Sequence, residues 1–360
     1  MKTSGGIRYG FFLLIIAALF AVFSCQQSDR YISFSGYAQG GVYTVKLNLN
    51  GKEGKIKASP QQIRDSVEAI LKNVDMSLSG YNRKSILSRF NAGEMVRPDA
   101  IFFDIYGKAY DIYRQTSGVV DVASAPLFDV WGFGFTRDSL PSEMLLSAAR
   151  AASGMDRLHS DPASLTDADG MLSSSSLLLS GGVSPKLNYN AIAQGYSCDL
   201  VADYLYSLGV KDMMVDIGEI FCDGLNPSGK PWSLGIDRPV DGNDVPGADM
   251  QGIFRAADVP CGIVTSGNYR KFYLKDGKKY SHSIDPRTGY PVGHTLLSAT
   301  IVARDATTAD AFATYCMVVG LEEASEFIES SPELEGCLIY DEGGVMRTWC
   351  SSGFHLEIID

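Results

Sequence analysis

Strand-period and helix-period segments alternate along this 360-residue chain without the regular strand–helix–strand rhythm that a parallel sheet requires. Residues 42–49 alternate, with Tyr43, Val45, Leu47 and Leu49 as the inward set of a strand. Ser59-Pro60-Gln61-Gln62 then opens a helix: Ser59 caps it, Pro60 suits the first helical position, and Gln62 completes a capping box. Ile63, Val67, Ile70, Leu71 and Val74 give that helix one apolar face. The spacing predicts further helices over 100–116 (Phe102, Ile105, Tyr106, Ala109 and Tyr113 inward) and over 141–152, 190–208, 308–319 and 321–330. Strands are expected at 213–217, 232–236, 269–274 and 298–303. Asn190 reads as a helix cap, and Gly118, Gly209 and Gly320 as stops. This mixture is an α+β fold. No repeat and no Pro/Gly/Ser-rich linker divides it, so residues 35–360 are expected to form one catalytic unit with two lobes.

The N-terminal residues are expected to lie outside that unit. Lys2 and Arg8 precede an apolar run, Phe11–Phe23, and Ser24-Cys25 follows, which are the parts of an export signal. The run is shorter than the roughly 20 apolar residues that a spanning helix needs. Val22-Phe23-Ser24-Cys25 resembles a bacterial lipobox, so Cys25 is the expected site of lipidation. Residues 1–24 are then a lipoprotein signal and 25–34 a polar tether. The chain is expected to work in the bacterial cell envelope, anchored to a membrane on its extracytoplasmic, periplasmic side. Net charge is −11, or −13 once Lys2 and Arg8 leave with the signal, and an acidic body disfavours nucleic acid as a partner. Beyond Cys25 the cysteines are Cys198, Cys222, Cys261, Cys316, Cys337 and Cys350, with no C-x-x-C among them, and their spacing assigns no pairing. Cys198 and Cys316 fall in apolar helical patterns and read as buried thiols.

Several familiar motifs fail. Gly224 to Lys230 matches the start of a phosphate loop, but Pro231 offers no hydroxyl and Trp232 begins a strand, so a turn is the better reading. No G-x-G-x-x-G joins a strand to a helix, no G-x-S-x-G is present, and His159, His282, His294 and His355 lack zinc spacing.

Others carry chemistry. Asp310 and Thr314 stand four apart on a helix, so a carboxylate and a hydroxyl leave one face, which suits Mg2+ but also suits a plain solvated face. Asn188 to Tyr196 reads as a capped helix start whose free N–H groups favour phosphate, or as a plain cap with Gly195 at a helix crossing. Asp285-Pro286 with Gly289 is a turn signature, with His282 and Asp285 close enough to share a site. Thr265-Ser266-Gly267-Asn268-Tyr269-Arg270 adds small hydroxyls before a strand.

Taken in order, these motifs resemble a known family. The series is Ser79-Gly80-Tyr81, Val119-Val120-Asp121-Val122, Pro126-Leu127, Trp131-Gly132-Phe133-Gly134, Ala191 to Tyr196, Pro231-Trp232, Thr265-Ser266-Gly267, Ser281 to Pro286 and Ala309 to Thr314. It is similar to the ApbE family, the FAD:protein FMN transferases, which are bacterial and commonly lipoproteins, over roughly residues 35–350. The resemblance implies an ApbE-like, T-fold-like architecture. It also implies an enzyme that binds FAD with Mg2+, cleaves the pyrophosphate, attaches FMN by a phosphoester to a threonine of a target protein, and releases AMP. The implied target is a membrane-associated redox subunit. By position, Asp310, Thr314 and the carbonyls of Ala191 and Ala313 would hold Mg2+. Gln39, Tyr81, Val119, Val120, Asp121, Asn188, Gln194 and Ile284 would line the FAD pocket. His282 matches a family histidine linked to catalysis, and either it or Asp285 would take the threonine proton. The chain departs from the family where Gln194 replaces Lys or Glu, where Asn188 replaces Asp, where Gln39 replaces Met, and where Ile217-Gly218-Glu219 replaces Gly-Gly-Glu. The first two changes remove charge beside the diphosphate and metal. Two other readings remain open: a lipoprotein that binds or hydrolyses FAD without modifying a protein, and a solute-binding lipoprotein.

Overall fold

The computed structural model describes residues 30–132, 140–174, 184–243, 245–257, 259–269, 272–275, 278–281 and 283–359. Cys25, Phe133, Gly134, Arg270 and His282 lie outside them. The strands are β1 (Tyr31–Ala38), β2 (Gly41–Asn48), β3 (Asn50–Gly51), β4 (Gly54–Lys55), β5 (Met213–Asp216), β6 (Ile220–Asp223), β7 (Ser233–Asp237), β8 (Met250–Arg255), β9 (Cys261–Gly267), β10 (Phe272–Lys275), β11 (Lys278–Ser281), β12 (Ile284–Asp285), β13 (Tyr290–Pro291), β14 (Leu296–Ala303), β15 (Glu335–Glu342), β16 (Val345–Cys350) and β17 (Leu356–Ile358). The α-helices are α1 (Pro60–Leu78), α2 (Ile86–Asn91), α3 (Ala100–Gln115), α4 (Ala125–Trp131), α5 (Glu143–Ala151), α6 (Ala193–Ser207), α7 (Ala306–Val319) and α8 (Leu321–Ser330).

Eight strands form the main sheet in the order β1-β2-β5-β6-β9-β14-β15-β16, with every neighbouring pair antiparallel. An antiparallel sheet with separate helices is the expected α+β class. Alternation in β2 places Tyr43, Val45 and Leu47 inward, against Ile63, Val67 and Leu71 of α1 and Val201 and Leu205 of α6. Burying each such aliphatic side chain stabilises the fold by about 1.5–3 kcal/mol. A second, larger core joins α3, the loops down to Leu172, and α7. The opposite face of the sheet is covered by the three-stranded sheet β17-β8-β7.

The capping box on α1 is present, with Ser59 accepting from Gln62 N and Gln62 accepting from Ser59 N. Gly224 to Pro231 forms a turn, closed by Asn226 N–H on Lys230 O at 2.7 Å. Three expectations change. β1 opens at Tyr31, inside the segment read as tether. Tyr269 precedes its strand, which begins at Phe272. Asn190 does not cap α6: Asn188 Oδ1 accepts Asn190 N–H at 2.9 Å, and Tyr189 O accepts from Ile192 and Ala193. Residues 189–192 therefore close a turn of their own, and the helix starts at Ala193 without a side-chain cap.

Candidate active site

The start of α6 and the first half of α7 cross in close contact. Asp310 Oδ2 on α7 accepts the Gly195 N–H of α6 at 3.0 Å. Asp199 on α6 accepts Ala306 N–H and Thr307 N–H at 2.8 Å each, and the Thr307 hydroxyl also donates to it. Each helix thus offers a carboxylate to the backbone of the other. Asp199 supplements Asp305, which caps α7 through Thr308 N–H at 2.8 Å. Only glycine fits at position 195, because a Cβ there would lie 2.2 Å from Ala306 O. The crossing reading of Gly195 therefore describes this position, and the amides of Ala193 and Gly195 are already engaged by protein oxygens.

Burial pushes the Asp310 carboxyl up to about 8, against the Gly195 N–H bond that favours its ionised form. Burial also raises Asp199 to about 6, opposed by its bonds to Thr307 and Ala306. Thr314 lies one turn beyond Asp310 on the same face and is half-buried, as is Ala191 in the turn before α6. Ala313 is fully buried within α7. Among the described residues no group of three or more His, Cys, Asp or Glu could hold a metal; the carboxylates at this crossing are Asp310 and Asp199.

Other sequence candidates approach through main-chain links. Asn188 N–H donates to Val122 O at 2.8 Å, which joins the 188–195 segment to the 119–122 segment. Val119 and Val120 bury their side chains in the core, so this segment offers a ligand its main chain and Asp121. Asp121 accepts Ala123 N–H at 2.8 Å and Met155 N–H at 3.3 Å, and burial raises it to about 6. It opens on a cleft of about 460 Å³ lined also by Arg150, Arg157 and Arg287. Gln39 has φ +52 in the two-residue β1–β2 turn with Gly40 at +84, which the twist of a hairpin favours. Its side-chain amide donates to Ser197 Oγ on α6, and Ser197 donates to Ala193 O at 2.7 Å. Gln194 donates to Ile217 O at 3.0 Å.

The remaining candidates divide. Ile284 packs with Leu127, Trp131, Leu146 and Ala149, and β12 lies against α7. The Asp285–Gly289 turn forms as expected, with Gly289 N–H on Asp285 O at 2.7 Å and the Trp131 indole N–H on Gly289 O at 2.7 Å. Both Asp285 oxygens receive the Arg287 guanidinium, at 3.0 Å from Nε and 3.0 Å from Nη2. A carboxylate held in this bidentate fork is poorly disposed to take a proton from a hydroxyl. Tyr81 lies on the turn after α1 at 67% exposure, its N–H on Ser79 Oγ. Sequence reasoning missed Asp199 and Ser197. The available signal was a carboxylate and a hydroxyl inside an otherwise apolar helical run.

A model of the ApbE family matches residues 40–338. The chain is 31% identical over 351 residues to the FAD:protein FMN transferase of Haemophilus influenzae, covering 95% of this chain and 96% of that one. It is 31% identical over 349 residues to the Vibrio cholerae enzyme of the same name, covering 95% and 97%. The apo crystal structure of the Pseudomonas stutzeri flavinyl transferase ApbE superposes with a TM-score of 0.73 at 30% identity, over 89% of this chain and 95% of that one. The Vibrio cholerae flavin transferase ApbE gives 0.72 at 30% identity, over 89% and 97%. With the family model spanning residues 40–338 and relatives 31% identical over 95% of the chain, the chain belongs to the ApbE family.

Proposed function

We propose that the protein is an FAD:protein FMN transferase that uses Mg2+ to cleave FAD and joins FMN to a threonine of a target protein, with AMP as the leaving product. The observation that carries this reading is the buried Asp310 at the α6–α7 crossing, one helical turn from Thr314. Its surroundings fit the ion. The donors are all oxygen, as Mg2+ prefers, and a carboxyl pushed up to about 8 by burial is one that a bound cation would return to its ionised form. Asp310, Thr314 and the carbonyls of Ala191 and Ala313 would hold it. When bound, the ion would neutralise charge on the pyrophosphate as the bond to AMP breaks.

The chain's own residues position the reactants, which is most of what phosphoryl transfer asks of a protein. The segment from Val119 to Asp121, with Gln39, Tyr81, Asn188, Gln194 and Ile284, would line the FAD site. Asn188 and Gln194 contribute no charge, so balancing substrate charge there would fall to the ion. Of the two candidate acceptors for the threonine proton, Asp285 is engaged by Arg287, which favours His282 for the role. The placement that fits this chemistry is the bacterial cell envelope, with residues 1–24 removed and a lipid on Cys25. An anchor would raise the local concentration of the enzyme beside membrane redox subunits that receive FMN.

The test is direct. Residues from Arg30 onward are incubated with FAD, Mg2+ and a partner carrying a target threonine, and a covalent fluorescent band is sought. Label that disappears in Asp310→Ala supports the transferase. Free FMN and AMP without labelled partner would instead make the protein an FAD pyrophosphatase, and no turnover with either variant would leave a binding protein.

A further inference from the structure

Two pairs of thiols face each other across neighbouring strands of the main sheet. Cys222 on β6 is the register partner of Cys261 on β9, with sulfurs 3.7 Å apart. Cys337 on β15 is the register partner of Cys350 on β16, with sulfurs 3.1 Å apart. We infer that Cys337 and Cys350 form a disulfide by exchange with an external disulfide donor, while Cys222 and Cys261 stay thiols in the folded chain. The oxidising surroundings rest on the envelope placement proposed above; the selectivity rests on geometry alone.

The geometry separates the two pairs. Ser351 N–H donates to Gly336 O at 2.9 Å, immediately beside the second pair. That bond makes Cys337 and Cys350 a non-hydrogen-bonded pair, the kind whose Cα atoms approach to about 4.5 Å. A disulfide accepts Cα separations of roughly 4.4–6.8 Å, so these strands need no rearrangement to carry one. Access differs more sharply. Cys350 is partly exposed, whereas Cys222 and Cys261 are 1% and 6% exposed under the covering sheet. In the Cys337–Cys350 pair the shared hydrogen bond favours the thiolate on the exposed partner, Cys350, and together with burial pushes Cys337 up, so Cys350 is the attacking thiol.

The step balances without help from the site. The Cys350 thiolate attacks one sulfur of the donor, whose other half leaves as a thiolate and takes up the proton Cys350 lost. Cys337 then attacks the mixed disulfide, and the second donor half leaves with the proton from Cys337. Two thiols are oxidised and one donor disulfide is reduced. The product ties edge strand β16 to β15. Just beyond, Gly353 N–H is held by Glu335 at 3.1 Å and Phe354 stacks on Phe254 at 4.5 Å, so the bond fixes the segment leading to the covering sheet.

The experiment treats the purified, reduced, folded protein from Arg30 onward with oxidised glutathione at neutral pH, then quenches and unfolds it, blocks the remaining thiols with a mass-tagged maleimide and maps the peptides. Two of the six thiols should be lost, on one linked species joining Cys337 to Cys350, and the oxidised protein should unfold at a higher urea concentration than the reduced one. Cys350→Ala should keep all five remaining thiols alkylatable and show no oxidant-dependent shift in urea. Six alkylatable thiols after oxidant, or a Cys222–Cys261 link in their place, overturns the inference. In cells, thiol trapping is paired with fractionation. A reduced pair in envelope-located protein overturns the disulfide, whereas protein found in the cytoplasm overturns the placement and leaves the in vitro titration to decide the pair.

Discussion

Replacing Gly195 with alanine sets two effects of opposite sign against each other. Helix propensity alone would favour the change by up to about 1 kcal/mol. The crossing opposes it, because the new Cβ would stand 2.2 Å from Ala306 O, 2.6 Å from its carbonyl carbon and 2.9 Å from Asp310 Cβ. Carbon and carbonyl oxygen need about 3.3 Å between them, so α6 and α7 must part by roughly 1 Å. Overpacking of this kind costs about 1–3 kcal/mol. The same movement stretches the 3.0 Å bond from Gly195 N–H to Asp310, which is worth about 1–3 kcal/mol depending on the charge of the carboxyl. The net expectation is a loss of about 1–5 kcal/mol, read as a lower urea midpoint at neutral pH with an unchanged slope. Mg2+ affinity, on the proposed coordination, should weaken as well, because Asp310 is carried on α7 and Ala191 on the turn that leads into α6, and the two separate. An unchanged or raised midpoint would refute the packing argument, since propensity would then have prevailed over the contact.

Further outcomes follow from the same site. Asp310→Asn keeps an oxygen for the Gly195 N–H but loses the charge, so flavin transfer should fall by about 100-fold or more while urea stability at pH 8 holds or rises. Folding holds the Asp310 proton up to about pH 8 against about 3.9 in the unfolded chain, so folding takes up a proton between these limits. Metal-free stability should therefore decline as pH rises through that window, and Mg2+ affinity should rise up to tenfold per pH unit below 8 and then level, as thermal shift in Mg2+ titrations would report. Asp199→Ala removes the acceptor for two α7 amides and a hydroxyl and should cost about 2–4 kcal/mol in urea unfolding. Ser59→Ala should cost about 1 kcal/mol through the lost cap while flavin transfer is unchanged, which separates stability from chemistry.

Local physics made some of the fold legible and hid the rest. Ser59, Pro60 and Gln62 announce α1 because a capping box needs only neighbouring residues. β2 was readable because one of its faces is wetter than the other, which produces alternation. The strand from Glu335 was not, because its central residues are buried on both faces and read as a continuous apolar run. The same applies to the apolar start of β9. At the site, Asp310 and Thr314 were visible through helical spacing, whereas the engagement of Gly195 by Asp310 spans 115 positions and has no local signature. Asn190 misled because its residue type suits a cap, yet Asn188 and Tyr189 took the local N–H groups first. The Arg287 fork on Asp285 is two residues away, but nothing in a turn signature says which way a guanidinium folds.

The exchange of carboxylates between α6 and α7 also limits how the site can move. A slide of one helix past the other by a single residue, about 1.5 Å, would break the bonds at both Asp199 and Asp310 together. Half-broken states are therefore poorly populated, and the crossing behaves as a fixed anvil rather than a jaw. Whatever motion admits a dinucleotide has to come from the periphery, where the Gln39 turn bonds to α6 through one side chain and the β12–β13 hairpin is held by the Trp131 indole, by Ile284 packing and by the Tyr290–Glu143 bond. If the crossing holds the proposed ion, ligand entry and ion coordination fall to different parts of the fold, and substitutions in the two should change association rate and metal affinity separately.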